Sequence, residues 1–398
     1  MSSPLPETTK TIHDSSQWRP AAGILFAVAW GANHFAPLLP VYRERLGLDA
    51  AGPALLFGVY ALGLAPGLLI AGPLSDRRGR RALVRPAAVA ALLVSLALGL
   101  GGSSYPLLLV GRFAYGLAAG AAMSPGAVWV AELSQPGVGA LRATIALSGG
   151  FGLGPLLSGA LAQWAPWPTQ TPYAVHVLAI SVLLLVGWPT EETRSPTAAS
   201  GPLLRLELTP AARRRFLREV LPMAPFVFGF PTIAFAGLPS LLLFGSRSAP
   251  LATTGLLSAM TLLTGVAVQP FTRRLTAEAG ARAGLLIGAT GLLVGAGALA
   301  TQTTAALLVS APLLGAAYGL CMTSGLRLVE ALAPPETRGG VTGVYYVLTY
   351  LGFAAPWLLA LAVRVAPGAW VLAAAALHAV LTVLWLSGGR EGPTDVAR

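Results

Sequence analysis

Apolar residues run in long unbroken blocks separated by short polar turns, and about twelve such blocks follow one another along the chain. Each approaches the roughly 20 residues a helix needs to cross the hydrocarbon core of a bilayer. The windows fall at about 20–42, 52–74, 82–102, 105–131, 141–163, 171–189, 220–244, 251–271, 283–301, 304–328, 341–364 and 367–387. Within them the apolar residues are continuous, without the alternation of a strand, and open sheet cannot satisfy its backbone in lipid. The pattern predicts an all-α membrane protein with twelve transmembrane helices.

The rhythm breaks once, near the middle. Residues 191–219 carry Glu191, Glu192, Arg194, Arg205, Glu207, Arg213, Arg214, Arg215, Arg218 and Glu219, the longest polar stretch inside the chain. It predicts a cytoplasmic linker between two pseudo-symmetric six-helix bundles, 20–190 and 220–388, with polar tails at 1–19 and 389–398. Within the linker, Pro210 to Val220 has the composition of a short amphipathic helix lying on the membrane surface. A weak internal repeat supports the division. Gln269, Pro270, Arg273, Arg274, Gly280 and Arg282 echo the loop at 72–81, Glu132 with Arg142 recurs as Glu330 with Arg338, and Pro155 has a counterpart in Pro356. Parallel halves with a binding site between them are a recurrent build of membrane carriers.

Composition agrees with lipid as the solvent. Hydrophobic residues make up 55% of the chain and charged residues 10%, against about a quarter in soluble domains; mean hydropathy is +0.70. The formal charge of +11 would suit nucleic acid, but its distribution points elsewhere. Nearly all the arginines fall on one side of the predicted topology, leaving Arg43, Arg45, Arg247 and Arg364 on the other. By the positive-inside rule the rich side is cytoplasmic and so are both termini. A multi-pass protein of the cell inner membrane is expected, without a cleaved leader in its first 19 residues. Trp164, Trp167 and Trp370 would mark one membrane interface and Trp188 and Trp385 the other. Cys321 is the single cysteine, so disulfides and cysteine metal sites are excluded. No cofactor or metal site is expected, and no acid/base cluster points to an enzyme.

Four stretches carry candidate chemistry. Gly72-Pro73-Leu74-Ser75-Asp76-Arg77-Arg78-Gly79-Arg80-Arg81 joins the second and third windows, and its lone Asp76 sits among four arginines. Gly111-Arg112-Phe113-Ala114-Tyr115-Gly116 places an arginine inside the fourth window, where it is costly unless paired, facing water or reaching headgroups. The fifth window holds Gly150, Gly154, Pro155, Ser158 and Gly159, a small-residue face with a proline bend. In the first, Trp30, Asn33 and His34 lie near the bilayer midplane, and an ionisable group there is a candidate functional site.

The first stretch closely resembles the loop between helices two and three of major facilitator superfamily transporters, G-x-L-[AS]-D-R-x-G-R-R. The second is similar to that family's R-x-x-x-G motif in span four. The third is similar to the G-x-x-x-G-P-x-x-G-G motif of its drug-exporting antiporters, with Ser158 replacing a glycine. The resemblance implies an alternating-access carrier, exporting small organic molecules against protons and acting as a monomer in the lipid bilayer. It implies a cytoplasmic gate formed by Gly72, Asp76, Arg77, Gly79, Arg80, Glu132 and Arg142, the plain alternative being a topogenic basic loop with screened surface pairs. It also implies a substrate pathway along Trp30, Asn33, His34, Arg112, Tyr115, Tyr318 and Tyr346. Snorkelling of Arg112, and a neutral His34 hydrogen-bonded to a neighbouring helix, remain the structural alternatives. His176 and His378 fall on spans peripheral in the family. All fifteen Asp and Glu residues lie at window ends or in loops, unlike many proton-coupled members, which leaves His34 or Glu132 as candidate proton carriers and disfavours strongly cationic substrates. An uptake carrier for a sugar or metabolite, using Asn33 and Gln269, and a non-transporting sensor of the same fold are the competing readings.

Overall fold

The computed structural model describes residues 16–101, 104–194, 206–243 and 249–388. The expected tails (apart from 16–19), the linker interior at 195–205 and Arg247 lie outside the described residues. Among the described residues every regular element is helical. Eleven helices are long and apolar enough to cross a membrane: α1 (Trp18–Arg45), α2 (Ala51–Arg78), α3 (Arg81–Leu100), α4 (Tyr105–Glu132), α5 (Gly139–Trp164), α7 (Pro210–Leu242), α8 (Pro250–Arg274), α9 (Ala277–Thr301), α10 (Ala305–Leu332), α11 (Thr337–Ala362) and α12 (Gly368–Ser387). The shorter apolar helix α6 (Thr171–Gly187) completes twelve. Their outer surfaces expose Leu62, Leu93, Leu141, Leu185, Leu377 and Leu381, large apolar side chains in the number expected of helices that face lipid.

Two hydrophobic cores divide the chain, one built almost wholly from α1–α6 and one from α7–α12. In the first, α2 and α4 touch at backbone distance: a Cβ on Gly63 would sit 2.0 Å from Phe113 O, and one on Gly116 2.0 Å from Tyr60 O. In the second, α9 packs along α10 and α12. Small residues drive such packing in lipid, where close van der Waals approach replaces the hydrophobic effect between helices. The halves meet along α5 and α8, along α2 and α11, and where α1 and α7 approach each other.

Three spans are broken where the halves meet. Helix α1 passes through a 3₁₀ turn at Ala36–Leu38, α7 through a π-helical turn at Ile233–Gly237, and α11 through a 3₁₀ turn at Leu351–Ala354. Pro37, Pro231 and Pro356 lie at or beside these breaks, each removing a backbone donor from its helix. Helix α7 begins at Pro210 and runs on through a π-helical turn at Phe216–Val220. The segment expected as a separate surface helix is therefore the leading end of a span.

The end opposite the arginine-rich loops is closed. Phe57 of α2 stacks on Phe353 of α11 at 5.4 Å and meets Phe235 of α7 edge-on at 5.7 Å. Around this aromatic plug, Arg43 Nη1 donates to Ser240 O at 3.0 Å, Leu251 N donates to Gln163 Oε1 at 3.1 Å, and Arg364 pairs with Asp49.

Candidate functional site

Between the halves the C-terminal bundle presents a run of aromatic rings. Phe228 of α7 lies 5.5 Å from Tyr318 of α10, 5.1 Å from Tyr350 and 5.1 Å from Phe353 of α11, and Tyr346 stacks on Tyr350 at 6.2 Å. Tyr318, Tyr346 and Phe228 remain partly accessible, whereas Tyr350 and Phe353 are buried behind them. Rings at these distances give an apolar wall with phenol edges, able to hold flat amphipathic molecules. Tyr318 and Tyr346, expected on the substrate pathway, lie in this aromatic run between the bundles.

The residues expected on the N-terminal side of that pathway are arranged differently. His34 is 1% exposed, and its ring turns into the N-terminal bundle, 4.6 Å from Tyr173 and 4.9 Å from His176 of α6. Arg112 is equally buried; it neither reaches headgroups nor borders the pathway. Its Nη1 and Nε point to Ala32 O and Leu56 O at 3.3 and 3.4 Å, and its guanidinium lies over the rings of Phe35 and Tyr60 at 4.5 and 4.7 Å. Tyr115 donates to Val28 O at 3.1 Å, and Trp30 packs edge-on to Phe26 and His176. Asn33 is buried beside them on α1.

These side chains form a polar cluster inside the bundle, drawn from α1, α2, α4 and α6. His176 Nε2 lies 2.9 Å from Ala27 O, and since a carbonyl only accepts, that nitrogen carries the proton and Nδ1 keeps its lone pair. Nδ1 of both histidines, Nη2 of Arg112 and the hydroxyls of Tyr42 and Tyr173 are buried without a hydrogen-bond partner. Sequence reasoning gave His176 no part here. Its span looked peripheral, and only its position beside Tyr173 on a helix facing α1 could have signalled the pairing.

The small-residue motif of α5 works on two sides. Cβ atoms on Gly150 and Gly154 would run into the α1 backbone, 2.3 Å from Phe26 O and 2.6 Å from Trp30 O. Ser158 donates to His34 O at 2.6 Å, a bond that glycine at this place could not make. Gly159 faces α8, where a Cβ would lie 2.5 Å from Leu251 O, and Pro155 O comes equally close to a Cβ on Gly255. One helix thus ties the His34 segment to the junction between the halves.

At the arginine-rich end a charged cluster centres on Arg80, which is 4% exposed. Its Nε and Nη2 grip both oxygens of Glu132 at 3.2 and 2.9 Å, and Nη1 reaches Asp76 at 2.8 Å and Ser75 Oγ at 2.6 Å. Burial opposes the charge of Arg80, but Glu132 and Asp76 override it and hold its pKa above the ordinary value. Gly79 allows this geometry: its φ of +97° closes α2 in a conformation that costs other residues. Gly72 lies against Ser124 of α4, and Arg77 occupies the last turn of α2. Arg142 stands apart, its guanidinium 4.1 Å over Trp18.

Sequence reasoning missed the segment that completes this cluster. After α6 the chain returns across the α2–α3 loop, where Glu192 accepts from Arg80 N and Arg81 N at 2.8 and 2.9 Å and so caps α3. Thr193 donates to Glu132 at 2.5 Å, and Arg194 Nε donates to Asp76 O at 2.9 Å. Trp129 Nε1 adds a bond to Glu191 O at 2.9 Å. The run of two glutamates, Thr and Arg after α6 was the available signal. The C-terminal half solves the equivalent problem in reverse: Arg327 on α10 donates to Thr272 O and Leu275 O in the α8–α9 turn at 2.8 and 2.9 Å. Glu330 pairs with Arg338 at 3.2 Å, whereas its repeat partner Glu132 pairs with Arg80.

Two six-helix halves meeting over an aromatic junction, shut at one end and bordered by a charged cluster at the other, have the build of a membrane carrier. The model of the Major Facilitator Superfamily matches residues 21–247. The chain belongs to this superfamily and is a multi-pass membrane transporter of small molecules, not an enzyme. It is 27% identical over 374 residues to multidrug resistance protein MdtL of Escherichia coli O9:H4 (strain HS), covering 90% of this chain and 93% of that one. MdtL of Shigella flexneri matches to the same extent. Among solved structures, the fold is similar to a peptide transporter POT in complex with sulfate (TM-score 0.77, 14% identity, 94% of each chain). It is likewise similar to a D-xylose-proton symporter (TM-score 0.69, 17% identity, 93% of this chain and 95% of that one).

Proposed function

We propose that this transporter exports small neutral or weakly charged amphipathic molecules by alternating access, in exchange for protons. It would work as a monomer in the inner membrane, with the arginine-rich end and both termini cytoplasmic. The observation that carries the reading is the partly accessible aromatic wall of Phe228, Tyr318 and Tyr346, facing the junction of the halves. Among the described residues the carboxylates lie towards helix ends or in loops, which removes the usual attraction for strong cations. The likeness to the MdtL proteins over nearly the whole chain supports export of drug-like compounds. The conformation closed around Phe57 is then the inward-facing one. The Asp76–Arg80–Glu132 cluster, already formed within the N-terminal half in this conformation, is the brace against which the cytoplasmic side shuts, and differential binding of substrate to the two states drives the exchange.

The proton carrier in this reading is the His34–His176 pair, whose rings lie 4.9 Å apart with both Nδ1 atoms buried and without a hydrogen-bond partner inside the N-terminal bundle. Ser158 links His34 through α5 to the junction, so a change at the pair reaches the interface between the halves. Inverted vesicles containing the protein test the function. Neutral aromatic amphipaths should accumulate when the lumen is acid, and Tyr346→Ala should weaken their binding about fivefold, the equivalent of ~1 kcal/mol of ring contact. Saturable sugar uptake with no amphipath flux would replace export by import, and stoichiometric binding without flux would make the protein a sensor.

A further inference from the structure

A cavity of about 330 Å³ opens at the arginine-rich end of the C-terminal bundle, away from the junction of the halves. Arg218 and Glu219 of α7 and Glu278 and Arg282 of α9 form its polar walls, and Leu328 and Leu386 its apolar side. The carboxylates are already engaged. Arg215 grips Glu219 through Nε and Nη2 at 2.9 and 3.0 Å and lies 3.9 Å from Glu278. Arg218 and Arg282, by contrast, have no carboxylate within 4.0 Å among the described residues. The Arg218 guanidinium lies only loosely over the ring of Trp385, at 5.8 Å, and Arg282 Nε reaches no further than Glu278 O at 3.3 Å. Two guanidiniums thus line one cavity without a carboxylate partner among the described residues, and with Arg215 they outnumber the carboxylates.

We propose that this cavity binds the phosphate of an anionic phospholipid from the adjoining leaflet. A phosphodiester presents two oxygens to two guanidinium forks, the geometry for which arginine is suited. The lipid origin follows from the surroundings. Leu386 gives an acyl chain an apolar wall, and Trp385, exposed at the same helix end, donates through Nε1 to Arg218 O at 3.2 Å. An indole at that depth marks the headgroup level. Bound there, the lipid joins the start of α7 to the starts of α9 and the end of α12. The site is independent of the transport reading and holds whatever the transported molecule is.

Native mass spectrometry of the full chain, exchanged into detergent with phosphatidylglycerol or phosphatidylcholine, tests the proposal. The wild type should retain one phosphatidylglycerol in preference to phosphatidylcholine, and R218Q/R282Q should lower that retention about tenfold. R213Q/R214Q, on the same segment but outside the cavity, should leave it unchanged. Equal retention of the two lipids by the wild type overturns the proposal without recourse to any variant. An R213Q/R214Q loss as large as that of R218Q/R282Q overturns it as diffuse surface attraction. Displacement of the lipid by excess inorganic phosphate, with a matching rise in melting temperature, reassigns the cavity to free phosphate and overturns the lipid assignment.

Discussion

Glu132→Gln takes the negative charge away from the partner of the Arg80 guanidinium, which is 4% exposed, while leaving the side-chain shape nearly unchanged. Hydrogen bonds to charged groups contribute about 1.5–3 kcal/mol each, and a buried charge stripped of its partner costs more than the bond alone. Two terms reduce the loss. Glu132 is itself 30% exposed, so solvent screens part of the pair, and Asp76 still contacts Arg80 at 2.8 Å. A net cost of about 2 kcal/mol follows. For a bundle of this size that corresponds to a fall in melting temperature of about 4–8 °C, at roughly 2–4 °C per kcal/mol. Asp76 is 52% exposed, so Asp76→Asn should cost under about 1 kcal/mol. The assay is thermal unfolding in detergent of the wild type, Glu132→Gln, Arg80→Gln and the double variant. A coupling energy of about 1.5–2 kcal/mol is expected from the cycle. Additive single effects, with coupling under about 0.5 kcal/mol, would refute the bidentate pair as the centre of the cluster. A larger loss from Asp76→Asn than from Glu132→Gln would overturn the ranking by burial.

Gly79→Ala places a Cβ 2.6 Å from Glu192 Oε2 at a φ of +97°; it should cost about 1–2 kcal/mol and expose the Thr190–Arg194 segment to limited proteolysis. Gly159→Val meets the α8 backbone at Leu251 O, so transport should fall at least about tenfold, the effect of ~1.4 kcal/mol, while vesicle insertion stays normal. Removing the bond to His34 O by Ser158→Ala should lower stability by about 1 kcal/mol, read as a thermal shift in detergent. His34→Ala and His176→Ala should each flatten the pH dependence of efflux in inverted vesicles; an unchanged profile in both withdraws the histidine pair as the proton carrier.

Hydropathy alone determined that the chain is all-helical, how many times it crosses and roughly where, because each crossing must satisfy its own backbone in lipid. The loop at 72–81 and the small residues of α5 also declared themselves, since a dense arginine run and glycines at four-residue spacing have few other uses. Rotation of the helices was not legible. A span buried on one side by protein and on the other by lipid is apolar all round, and no stripe marks its inward face. So Tyr318 and Tyr346 fell on the junction, while His34, Arg112 and Tyr115 turned into the N-terminal bundle towards a histidine more than 60 residues from Arg112. Nor could sequence pair Glu132 with Arg80 rather than Arg142, or bring Glu192 onto the start of α3. Those partners are chosen by which loops the packed helices bring together, and that is settled only when glycine-to-backbone contacts fix each span against its neighbours.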